Sequence, residues 1–157
     1  MEAVVKLISL LEKQGAVIKD LITVTEAEIR ALAFGDQEGI LDVVGRQERL
    51  TSVLVGLEKK RYAVQQVLEK ELSLPEGCTL NELLKFLPAK FRGALEALNK
   101  RLERDVSLLL MLQSRLYLLL QHALTMEETV ACILSRACLR EGNSCLSRQL
   151  SFINQSV

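Results

Sequence analysis

From Phe91 onward, apolar residues return every three or four positions for more than forty residues, and after Gly93 neither Gly nor Pro interrupts them before Ala137. The series is Phe91, Leu95, Leu98, Leu102, Val106, Leu109, Leu112, Leu116, Leu119, Ala123, Met126, Val130, Ile133 and Ala137. That spacing keeps side chains on one face of an α-helix, whereas a strand needs alternation at every second residue. From about Ala89 to Ala137 such a helix extends on the order of 70 Å at 1.5 Å per residue. It outruns any earlier helix of the chain, so part of it must project, bend or meet another partner. Between Leu108 and Leu120 the extra apolar residues Leu110, Met111, Tyr117 and Leu118 widen the stripe until only Gln113, Ser114 and Arg115 mark a polar side. A helix apolar on most sides is buried on most sides. The centre of an intramolecular bundle is the favoured reading of this zone, and a homodimer surface is the other.

Two further helical segments precede it. Val4, Ile8, Leu11, Ile18, Ile22, Ile29 and Leu32 fall on one face, with Gly15 and Thr25 filling gaps in the stripe. The first helix stops at Phe34-Gly35-Asp36, where Gly35 suits the left-handed conformation past a helix end and Asp36 suits the next N-cap. So short a link turns the second helix back antiparallel. Its stripe is Ile40, Val43, Leu50, Leu54, Leu57, Val64 and Leu68, interrupted by Gln47 and Arg61, which can set the register. Glu58, Lys59 and Lys60 fall on its charged outer face. Ser73 to Cys78 breaks the period, and Thr79-Leu80-Asn81-Glu82 has the form of a capping box opening a short linker helix from Leu80 to about Leu87. Pro88 then starts the long third helix.

Composition narrows the functions open to such a chain. Lys+Arg and Asp+Glu balance at 20 each, so no bulk field draws it to nucleic acid or an anionic membrane. The basic clusters at Lys59-Lys60-Arg61 and Lys100-Arg101 have acidic neighbours and no aromatic residues between them to stack bases. The N-terminus lacks the pattern of a signal peptide, and the most apolar stretch, Val106 to Leu120, is too short and too interrupted for a membrane span. A cytoplasmic location is expected. Cys78, Cys132, Cys138 and Cys145 read as free thiols, and they lack the close pairing with which zinc sites are built around a lone His122. Phosphate-binding loops, nucleophile elbows and partnered catalytic residues are absent from the sequence, which points away from an enzyme and from a cofactor or metal.

From Arg140 the composition changes, with Gly142, Asn143 and several Ser residues lowering helix propensity. We read 1–141 as a helical domain and 142–157 as an amphipathic tail. Leu146, Leu150, Ile153 and Val157 lie at helical steps with Phe152 beside them, a stripe that needs an apolar counterpart. These five are the expected partner-binding residues. The expected fold is all-α: an antiparallel bundle or coiled coil of three long helices, with a short linker helix and a C-terminal amphipathic segment.

The run Ile29 to Leu41, IRALAFGDQEGIL, followed by Arg46-Gln47-Glu48-Arg49-Leu50 and Leu57-Glu58-Lys59-Lys60-Arg61, resembles the FlgN-type flagellar export chaperones. Thr79-Leu80-Asn81-Glu82-Leu83-Leu84 resembles the linker element of that family, and the likeness covers roughly Met1 to Ile133 in order and length. It implies a cytosolic chaperone that binds hook-filament junction proteins, export substrates of the FlgK and FlgL type, through its C-terminal region. Such a chaperone masks their assembly-prone terminal helices and hands them to the flagellar type III export apparatus. The competing reading is a scaffolding coiled-coil protein that self-associates through its long third helix.

Overall fold

The computed structural model describes residues 2–141, with side chains as far as residue 137, and they form four helices: α1 (Glu2–Phe34), α2 (Gln37–Glu71), α3 (Leu80–Phe86) and α4 (Ala89–Glu141). No strand occurs among the described residues. The chain divides into two compact units, Met1–Leu116 and Tyr117–Val157.

In the first unit the α1–α2 reversal is built from the residues that the sequence singles out. Gly35 has φ of 67°. Its N–H bonds the carbonyl of Leu32 at 3.2 Å while that of Asp36 bonds Ala31 at 2.9 Å, so the last carbonyls of α1 are paired. The Asp36 carboxylate then accepts from the Gly39 N–H at 3.0 Å and caps α2. The two helices run antiparallel: the Gln14 amide donates to Glu58 at 2.7 Å farther from the turn. Towards the turn the Gln47 amide donates to Glu28 at 2.6 Å and to Thr25 Oγ1 at 3.3 Å. Gln47 therefore fixes register as its place in the stripe suggests. Glu58, expected on the outer face, reaches across to α1 instead.

The buried face of α1 is wider than a single stripe. Leu7, Leu21 and Val24 are buried alongside Val4, Leu11, Ile18 and Ile29, whereas Ile8, Ile22 and Leu32 are only half-buried. Val4, Leu7 and Leu11 meet Leu68 of α2, Leu83 and Leu84 of α3, Leu87, and Leu95 of α4 in one cluster. Seven residues do not hold a helix in isolation. α3 persists because Thr79 and Glu82 cap each other's backbone and because Leu83 and Leu84 are buried in this core. The Arg92 guanidinium also donates to the carbonyls of Leu84, Lys85 and Leu87 at 3.1–3.2 Å. Farther along, α4 passes α1 at Gly15, where a Cβ would stand 3.3 Å from Leu102 Cδ2.

A polar ladder runs along α2 into the loop that follows. Arg61 pairs with Glu58 and donates to Gln65 Oε1 at 2.6 Å. Gln65 donates to Glu69 Oε1 at 3.0 Å and to the Cys78 carbonyl at 2.6 Å. Glu69 is only 1% exposed, and it also accepts from the Gly77 N–H and the Cys78 thiol, each at 3.3 Å. A carboxylate in so covered a position needs donors, and the loop supplies them. The Gln65 amide first, then the Gly77 N–H and the Cys78 thiol, hold the Glu69 carboxyl below its ordinary range against the upward pull of burial. Burial, with Glu69 beside it, pushes the Cys78 thiol up, so Cys78 is a protonated structural thiol.

A lowered carboxylate pKa stabilises the fold above its unfolded value, about 4.3, and that contribution is lost as pH falls through the folded value. Thermal melts of the wild type and Glu69→Gln are therefore expected to differ most near neutrality and to converge in acid. A difference independent of pH would show that the charge of Glu69 plays no part in closing the loop.

Candidate partner-binding surface

From Leu109 the steps of α4 alternate strictly between three and four: Leu109, Leu112, Leu116, Leu119, Ala123, Met126, Val130, Ile133 and Ala137. This is a seven-residue repeat sustained over four cycles. Its period of 3.5 keeps one seam facing a companion helix wound left-handed around it. Helix propensity suits so long an element, since the intervening residues are mostly Leu, Glu, Gln, Arg and Ala.

The companion is missing from the described residues. In the first unit Leu112 is buried and Leu109 and Leu116 are half-buried, but Leu110 and Met111 are exposed. In the second unit, considered by itself, Leu119 is half-buried and every described residue from Leu120 to Ala137 is exposed. Tyr117, Leu118 and Leu124 are exposed there as well, and Met126 and Ile133 stand 67% and 61% open. This corrects the expectation that the apolar zone between Leu108 and Leu120 lies at the centre of an intramolecular bundle. No fourth long helix of the described chain is available to cover it. Monomeric proteins seldom leave a continuous apolar strip of this length to water.

The polar residues among these apolar ones make few demands of a partner. The hydroxyls of Ser114, Thr125, Thr129 and Ser135 each donate to the carbonyl four residues back, at 2.8–3.0 Å. The Gln121 amide donates to Tyr117 Oη at 2.7 Å. Groups bonded within their own helix need no replacement for water when a surface is covered. An apolar helix laid on this face would strand few donors.

The first unit adds a smaller feature, an open groove of about 470 Å³ whose lining includes Ile18, Leu54, Val55, Leu102 and Val106, with Gln14 and Glu58 beside them. It holds no His, Cys or Ser that could act as a nucleophile or base. His122 stands exposed on α4, as does the free thiol of Cys132, while the free thiol of Cys78 is buried. Among the described residues no group of three or more His, Cys, Asp or Glu is arranged to hold a metal ion, and no helix is long and apolar enough to cross a membrane. The expected partner-binding residues Leu146, Leu150, Phe152, Ile153 and Val157 lie outside the described residues, as do the side chains of Cys138 and Cys145. What reading by residue type missed is the exposed seam from Met126 to Ala137, whose signal was the strict alternation of its steps.

Searches of curated proteins and of solved structures gave no match. The model of the family described as FlgN protein matches residues 1–124, which takes in α1, α2, α3 and much of α4. With four-fifths of its length matched, and with the Gly35-Asp36 reversal and the Thr79–Glu82 capping box formed as its sequence requires, the chain belongs to the FlgN family of flagellar export chaperones.

Proposed function

We propose that this chain is a cytoplasmic type III export chaperone that binds hook-filament junction proteins and covers their terminal helices until they are exported. The observation that carries the reading is the uncovered apolar seam of α4, in a chain of a chaperone family. Amphipathic helices laid in apolar grooves are bound through anchors repeating every three to four residues, and this seam presents such a row. The helical body, 1–141, presents the seam, and the tail, 142–157, adds Leu146, Leu150, Phe152, Ile153 and Val157 as further anchors. Release to the export apparatus needs no nucleotide in this scheme, because binding rests on apolar contact alone.

Deleting 143–157 is expected to leave the melting transition of the body unchanged while weakening capture of a purified hook-filament junction protein at least ten-fold. Apolar anchors commonly contribute about 1 to 3 kcal/mol each. Equal capture by the truncated and full chains would remove the tail from the site. A second reading, self-association through α4, is favoured by the same seven-residue repeat, and sedimentation of the isolated chain separates the two. A stable dimer that captures no junction protein would establish it.

A further inference from the structure

We propose that in the free protein a second copy of the chain covers the open seam of α4, the two helices running antiparallel from Leu119 to Ala137. The pair parts when an export substrate is captured. That parting rests on the reading of α4 as the capture surface; the pairing itself does not.

The seam has the same spacing read in either direction. Leu119, Ala123, Met126, Val130, Ile133 and Ala137 are separated by four, three, four, three and four residues. Laid antiparallel on its own copy, this stretch matches itself throughout: Leu119 meets Ala137, Ala123 meets Ile133 and Met126 meets Val130. Each layer occurs twice by the twofold symmetry. Antiparallel helices pair the two kinds of seam position with each other, whereas parallel helices in register pair each position with itself. The choice matters because two of the six residues are Ala. In the antiparallel pair each Ala faces Leu or Ile, so small is set against large and the layers have similar bulk. In a parallel pair Ala123 and Ala137 would each face their own copy, between layers filled by two Leu, two Met or two Ile. Helices held at a constant spacing pack without voids only when facing positions fill evenly.

The edges of the seam point the same way. One edge carries Leu120, Glu127 and Leu134, and the other His122, Thr129 and Arg136. Antiparallel pairing brings like edge to like edge, so Leu120, exposed in the single chain, packs beside the equally exposed Leu134 of the other copy. A parallel pair would leave these leucines beside Arg115 and Thr129. The same symmetry sets the two Glu127 side chains against each other at the centre, and His122 beside Arg136. Like charges there oppose the pairing. The overlap is about 27 Å long, and it covers on the order of 1,000 Å², where specific interfaces begin. The result is a weak, reversible dimer that shields the apolar strip between clients. Paired molecules are closed to substrate, so pairing lowers the apparent affinity by the fraction that is open.

Sedimentation of the full chain over a range of concentrations tests the pairing, and a reversible monomer–dimer equilibrium is expected. Val130→Asp, at a position open in the single chain, should leave the melting transition unchanged and weaken the dimer about ten-fold or more. Glu127→Gln should tighten it about two- to ten-fold by removing the opposed charges at its centre. Glu127→Lys mixed with the wild type should give mixed dimers in preference to either parent. A chain that is monomeric at every concentration overturns the proposal, and so does a dimer indifferent to Val130→Asp. A dimer that Glu127→Gln weakens or leaves unchanged also overturns it, since parallel pairing sets Glu127 beside His122 of the other copy. Deleting 143–157 should leave the dimer intact, and loss of the dimer would move the contact to the tail and overturn the proposal. A purified hook-filament junction protein should convert dimers into complexes that hold one copy of this chain, and a complex that keeps both copies overturns the parting. If the wild-type chain captures no junction protein, the substrate reading fails, while sedimentation still decides the pairing.

Discussion

Replacing Leu7 with Asp is expected to unfold the Met1–Leu116 unit at room temperature. Leu7 is 0% exposed and belongs to the one cluster shared by α1, α2, α3 and α4, together with Leu68, Leu83 and Leu95. The substitution removes about 1.5 to 3 kcal/mol of apolar burial and adds several kcal/mol for an ionised carboxylate with no partner. Together these rival the whole stability of an ordinary domain, about 5 to 15 kcal/mol. α3 should go first, since its own seven residues supply little. Far-UV circular dichroism and a thermal melt check the outcome, with Leu7→Ala as the milder case, expected to cost about 2 to 5 kcal/mol and still melt cooperatively. A Leu7→Asp chain that melts like the wild type would mean that the core lies elsewhere.

That choice of residue shows where the sequence could be read and where it could not. The reversal at Gly35-Asp36 and the capping box at Thr79–Glu82 are legible because each depends on a few neighbouring residues with one conformational use. The role of Gln47 was legible too, as a polar residue set in an apolar stripe. Periodicity could not choose between Leu7 and Ile8, or between Leu21 and Ile22, because adjacent apolar residues both fit a broad face. At Leu7, packing against three other helices decides it. Leu54, Leu109 and Leu116, which the stripes place in the core, are half-buried because the helices around them leave one side open. The Gln65–Glu69–Cys78 clamp was invisible for another reason. Its members are ordinary polar residues on the one side and a loop on the other, and only the fold makes them meet.

The candidate surface was half legible. Residue type drew attention to the tail, where Leu146 and its neighbours stand out against a polar background, and away from Met126 to Ala137, which looks like more of the same core. Burial reverses the weighting for α4. The core gathers residues before Leu116, and the open apolar residues concentrate after it, so on the proposed reading stability and binding fall on different stretches of the chain. A substitution beyond Tyr117 can alter what the protein binds without altering what holds Leu7 in place.

Met126→Asp is accordingly expected to leave the melting transition of the body where it is and to weaken capture of a hook-filament junction protein by about 30- to 1,000-fold. Met126 lies on the seam and is 67% exposed, so its replacement buries nothing new in the free chain. In the proposed complex the same position is covered by an apolar helix. Desolvating a carboxylate there, with the loss of a Met anchor, costs about 2 to 4 kcal/mol, which is the range quoted as a fold-change. The control is Glu128→Lys, on the opposite side of α4, which reverses a charge without touching the seam and should change affinity by no more than a few-fold. Titration calorimetry at two salt concentrations completes the test, since an apolar seam predicts affinity that hardly responds to salt, whereas charge-driven capture weakens steeply. If Met126→Asp binds as tightly as the wild type while Glu128→Lys does not, the substrate meets the charged side of α4 and the seam serves some other end.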